Sequence, residues 1–155
     1  TTPVTADWNK DGLVDLIMLD QEGYLAFFER AVRGGRRVLL HPKRIFCDDK
    51  GEPLQFNKKR GGGSGRRKLC VTDWDGDGLL DILINSKNAE LWRQTAQKDG
   101  RFLFTNAGNL HLKNIEGHDV SPTVVDFDEN GIPDFIGGAE DGYLYYLRNP
   151  RAAKP

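Results

Sequence analysis

Asp7-Trp8-Asn9-Lys10-Asp11-Gly12-Leu13-Val14-Asp15 is a nine-residue pattern that recurs twice in the chain. The copies are Asp73-Trp74-Asp75-Gly76-Asp77-Gly78-Leu79-Leu80-Asp81 and Asp126-Phe127-Asp128-Glu129-Asn130-Gly131-Ile132-Pro133-Asp134. Each has an oxygen-bearing side chain at positions 1, 3, 5 and 9 and a glycine at position 6. Calcium takes about six to eight oxygens, and a loop with donors at 1, 3, 5 and the carbonyl of 7 wraps such an ion. The glycine allows the sharp turn through positive φ. Oxygen-only donors argue against zinc and copper, and magnesium prefers to keep its waters. The middle copy packs Asp73, Asp75, Asp77 and Asp81 into one loop, and these carboxylates repel without a cation. An ordinary Asp/Asn/Gly turn uses the same residue types without metal. Three copies with matching flanks favour the ion.

The loops are not EF-hands, which need a bidentate Glu at position 12 and flanking helices. Position 12 is Met18, Ile84 and Gly137. Apolar runs surround each loop instead. Val4-Thr5-Ala6, Leu69-Cys70-Val71-Thr72 and Thr123-Val124-Val125 precede; Leu16-Ile17-Met18-Leu19, Ile82-Leu83-Ile84 and Phe135-Ile136 follow. Short apolar runs bounded by turn residues read as strands. Gly23-Tyr24-Leu25 and Gly142-Tyr143-Leu144, with Ala89-Glu90-Leu91-Trp92 in the middle copy, start a third strand. A fourth is expected over about residues 37–45 and 101–105. No sustained 3.6-residue apolar period is present, so almost no helix is expected. The first Asp residues lie 66 and 53 residues apart. Strand-only repeats of that order are the mark of propeller blades. The expected fold is all-β: three four-stranded antiparallel meanders, the last incomplete. Blade 1 spans about 1–66, with a basic insertion at 33–68; blade 2 spans 67–120, blade 3 121–150, and a tail 151–155.

This pattern of ion loop, apolar strand, turn and Gly-Tyr-Leu resembles the FG-GAP/VCBS repeat of calcium-binding β-propellers. Gly137-Gly138-Ala139 is similar to the Gly-Ala stretch of FG-GAP repeats, while Leu19-Asp20-Gln21 and Asn85-Ser86-Lys87 are closer to the looser VCBS form. The resemblance implies about three calcium ions. Their ligands would be Asp7, Asn9, Asp11, Leu13 (carbonyl) and Asp15; Asp73, Asp75, Asp77, Leu79 and Asp81; and Asp126, Asp128, Asn130, Ile132 and Asp134. Members include integrin α-subunit heads, fungal lectins and secreted bacterial proteins that bind or degrade polysaccharide. The repeat identifies a scaffold rather than an activity.

Propellers usually close with about four to eight blades. The chain therefore reads as the C-terminal part of a larger propeller, partnered by the remaining blades, or as half of a ring made with a second copy. No run of 18 apolar residues is present, so no membrane-spanning helix is expected. Calcium loops of this kind suit a secreted, periplasmic or cell-surface setting. Cys47 and Cys70 could pair, although Cys70 sits on an expected buried strand where a free thiol is common.

The net charge of −1 hides a segregation, since the loops hold 11 of the 23 acidic residues. From Arg33 to Lys68 there are 12 basic and three acidic residues. This segment is either a solvated connection between blades or a patch for anionic polysaccharide. Lys58, Lys59, Arg60, Arg66 and Arg67 are its candidate contacts, with His118 in a separate turn. Sparse aromatics in the segment argue against nucleic acid. Gly61-Gly62-Gly63-Ser64-Gly65 lacks the Lys and helix of a phosphate loop. No catalytic constellation is identifiable from spacing, so enzyme status stays open. A polysaccharide-binding or processing module, a catalytic lyase or glycosidase propeller, and an integrin-like adhesion module are the three readings. Trp8, Trp74 and Phe127 are expected to pack beside their loops.

Overall fold

The computed structural model describes residues 2–58, 67–86, 88–115 and 120–153. The chain forms two compact units, Thr1–Arg67 with Thr95–Thr105, and Lys68–Gln94 with Asn106–Pro155. Both are built from small β-sheets, as expected, and no α-helix occurs among the described residues.

In the first unit β1 (Val4–Ala6), β2 (Asp15–Leu19) and β3 (Leu25–Phe28) form an antiparallel sheet with β2 in the middle. The first loop joins β1 to β2. The next turn is held by Asp20 Oδ1, which accepts from the Glu22 and Tyr24 amides. Gly23 is required there: its φ is 84°, and a Cβ would lie 1.8 Å from the Asn57 carbonyl oxygen. Beyond β3, β4 (Arg30–Arg33) and β5 (Arg36–Leu39) make a two-stranded ribbon around Gly34-Gly35, both at positive φ. Two such residues match the right-handed twist of a tight hairpin.

The fourth strand expected over 37–45 is present but interrupted. After β5 the Leu40 amide still reaches Glu29 O, and Phe27 and Lys43 exchange both backbone hydrogen bonds at 2.9 Å. Pro42, which has no N–H, stands at the break. The chain then departs from the expected antiparallel order. β6 (Phe46–Asp48) runs parallel to β10 (Arg101–Asn109), with Phe46 opposite Phe102. The basic stretch is thus partly a ribbon and a sheet strand, not simply a loop. This unit's core is aromatic. Trp8, 4% exposed, meets Phe46 edge-on at 4.9 Å and Phe102 at 5.8 Å. Such edge contacts add roughly 0.5–1.5 kcal/mol beyond area burial.

In the second unit β7 (Leu69–Thr72) and β8 (Asp81–Asn85) pair antiparallel, and β8 pairs with β9 (Ala89–Lys98). All five residues of β8 are buried, which explains its continuous apolar run. β9 and β10 are long enough to contribute to both units. β11 (Ser121–Val125), β12 (Asp134–Gly138) and β13 (Leu144–Leu147) form a second three-stranded meander, and Pro150–Ala153 is a 3-10 turn. Trp74, Leu83, Leu91, Ile115, Val120 and Phe135 build the core. A Cβ at Gly137 would lie 2.3 Å from Val120 Cγ1, so this motif glycine is a packing requirement. Phe127 departs from expectation: it is 62% exposed and packs against the Tyr146 ring at 5.2 Å. Cys47 and Cys70 are both free thiols.

Candidate metal centre

The three loops share one hydrogen-bond scheme. The position-1 carboxylate closes the loop on itself. Asp7 accepts from the Asp11 and Gly12 amides, Asp73 from Gly76 and Gly78, and Asp126 from Asn130 and Gly131, all at 2.7–3.1 Å. The position-5 oxygen accepts from the amide of position 7 at 2.8 Å in every copy: Asp11 from Leu13, Asp77 from Leu79, and Asn130 from Ile132. Position 3 varies. Asn9 Oδ1 and Asp75 Oδ1 each accept from the position-5 amide, whereas Asp128 pairs with Arg148 at 2.9 Å.

Position 9 does more than end the loop. Asp15, Asp81 and Asp134 are each fully buried. One oxygen takes an amide from the third strand region: Arg30 to Asp15, Gln94 to Asp81, and Asn149 to Asp134, at 2.9, 2.9 and 2.7 Å. The other oxygen of Asp15 and Asp81 accepts from the Trp8 and Trp74 amides, while Asp134 accepts from the Tyr146 hydroxyl. This residue therefore ties loop, second strand and third strand together in each repeat. That role left no mark in the spacing.

A second requirement also escaped the sequence reading. Position 6 has positive φ in all three loops, as its glycine implies. Position 4 does too, at Lys10 (59°), Gly76 (79°) and Glu129 (58°). A non-glycine residue there costs on the order of 1–2 kcal/mol. The middle loop avoids that cost with glycine. Gly76 also leaves room for Arg151, whose Nη1 would lie 1.9 Å from a Cβ.

The middle loop is where the carboxylates converge. One oxygen from each of Asp73, Asp75 and Asp81 lies within 4.8 Å of the others, and no equivalent group occurs elsewhere among the described residues. Asp75 Oδ2 is buried without a hydrogen-bond partner, although it lies against the Arg93 guanidinium. Burial pushes the Asp81 pKa up to about 6, helped by the charges of Asp75 and Asp77 and opposed by the Gln94 and Trp74 amides. An all-oxygen set and an acid held against ionisation fit a hard divalent cation, which would share Asp75 with Arg93. The third loop, with Asp126, Asp128 and Asp134 at the same positions, keeps the fold without that convergence, and the first has the amide Asn9 in place of Asp75.

The basic candidates separate. Lys58 is exposed. Arg67 is half-buried and donates from Nε to the Phe56 carbonyl, so it anchors the backbone. Lys59, Arg60, Arg66 and His118 lie outside the described residues. Among the described residues of the basic segment the exposed arginines are Arg33, Arg36 and Arg37 on the β4–β5 ribbon, and Arg44, which pairs with Asp20 and Glu22.

Residues 61–137 match the family model of the FG-GAP-like repeat. This part of the chain is an FG-GAP-like repeat. The match takes in the middle loop, all of β7 to β11 and most of β12. FG-GAP-like repeats suggest β-propeller modules of the protein-binding, adhesion type and often bind calcium. No curated protein matches the chain. No helix among the described residues is long and apolar enough to cross a membrane.

Proposed function

We propose that this chain is a calcium-stabilised β-propeller module that works in a secreted, periplasmic or cell-surface setting and binds anionic polysaccharide. The convergence of Asp73, Asp75 and Asp81 carries the calcium reading. The ion's role is structural. It would cancel repulsion within the acidic loop and let Asp81 ionise. Binding is thereby linked to folding. The polysaccharide reading rests on exposed arginine forks, which suit carboxylates and sulfates.

Chelation tests the first part. A ligand at 100 times its Kd stabilises by about 2.7 kcal/mol. Removing calcium should therefore lower Tm by about 5–10 °C in a chain of this size. An unchanged Tm in EGTA would overturn structural calcium. A panel of neutral and acidic polysaccharides, read by retention and by mass spectrometry, tests the second part. Retention without products is expected. Unsaturated uronate products would make the module a lyase, and binding to protein alone would make it an adhesion module.

A further inference from the structure

We propose that the β4–β5 ribbon is the contact site for acidic polysaccharide, with Arg33 and Arg36 as a paired anion clamp; this rests on the polysaccharide reading above. The two arginines stand directly opposite each other across the hairpin, in the last register pair before Gly34-Gly35. Opposed cross-strand residues have Cβ atoms roughly 4.5–5.5 Å apart, and like charges so placed are destabilising. Neither arginine has an acidic partner among the described residues. The nearby basic residues differ: Lys43 pairs with Glu29, and Arg44 with Asp20 and Glu22. Arg33 and Arg36 are thus an uncompensated cationic pair. One carboxylate or sulfate accepting from both forks would relieve their repulsion.

The surroundings narrow the ligand. A shallow trough beside Arg33 is lined by Phe28, Val38, Leu39, His41 and Lys43. Arg33 beside apolar carbon matches a uronate ring, which has a CH face and a charged edge. Val32, Val38 and Leu39 are exposed on the ribbon, and all are aliphatic. Base recognition in single-stranded nucleic acid needs stacking aromatics instead. Arg37, opposite Val32, projects from the other face of the ribbon and stands outside the clamp.

The test uses the whole chain in calcium, with polygalacturonate and heparin as ligands, neutral dextran as blank, and poly-glutamate and single-stranded DNA as competing polyanions. Arg33→Gln with Arg36→Gln is compared with a charge-matched control, Lys50→Gln with Lys98→Gln, on the same chain. Binding to an acidic glycan should weaken about tenfold or more in the arginine pair and little in the control. It should also fall as salt rises. Equal loss in both doubles would overturn the clamp while leaving the polysaccharide reading in place. No acidic glycan binding by the wild type would overturn that reading itself. Equal or tighter binding of poly-glutamate or DNA would overturn glycan specificity. Matching melting curves for both doubles show that the variants remain folded.

Discussion

At the scale of single residues the position-9 aspartate carries most of the consequence. Asp81 is buried and held near pKa 6, while an unfolded aspartate titrates near about 3.9. Its pKa is raised by folding, so without metal its stabilising contribution is complete below about pH 4. That contribution is lost as pH rises through the folded value of about 6. Calcium reverses the preference by favouring the ionised form. In metal-free buffer the stability of wild type relative to Asp81→Asn should therefore decline from pH 4.5 to 7.5. In calcium that decline should vanish, because Asp81 is then ionised in both folded and unfolded states across this interval. Urea denaturation of both proteins, with and without calcium, measures it. Parallel curves for the two proteins in both buffers would contradict the assignment.

At the scale of elements, the spacing of apolar runs made most strands legible. β2, β8 and β12 each begin at the position-9 aspartate, where the loop pattern puts them. The outer strands were harder to read. β5 and the bridge at Lys43 are split by a proline-bearing bend, and β6 finds a parallel partner more than 50 residues away. Neither pairing has a local signature, because cross-strand neighbours are set by packing. Asn149 shows the same limit. It follows β13 in a short polar stretch, and it is only 2% exposed. Its Nδ2 donates to the Trp74 and Pro133 carbonyls, and its amide serves Asp134. Asn149→Ala leaves both carbonyls without that donor and should cost about 1–3 kcal/mol. Denaturation in calcium reads the loss, and Asn149→Asp, which keeps the size but not the donor, should be no better. A shift under about 0.5 kcal/mol, typical of surface sites, would show that the carbonyls find other partners.

At the scale of the molecule the repeats are alike in loop geometry and unlike in packing. Trp8 and Trp74 occupy equivalent positions and are 4% and 6% exposed, each inside the core of its own unit. Phe127 holds the same position in the third repeat and is 62% exposed. Trp8→Ala and Trp74→Ala should each cost about 3–5 kcal/mol. Phe127→Ala should change stability by less than about 1 kcal/mol. Comparable losses at all three positions would mean that Phe127 is covered in solution.

The repeated loop, its glycines and the flanking apolar runs were enough to place the all-β fold, the FG-GAP-like repeat and the acidic donors, because these depend on local backbone preference and on period-two burial. Which loop gathers its carboxylates could not be read in the same way. The middle loop combines glycine at position 4, Asp75 against Arg93 and the buried Asp81, while in the third loop Arg148 holds Asp128. Those partners lie up to 20 residues from the loop atoms they meet. The ribbon arginines make the same point: a basic segment was visible in the chain, but the opposition of Arg33 to Arg36 exists only once a hairpin sets their register.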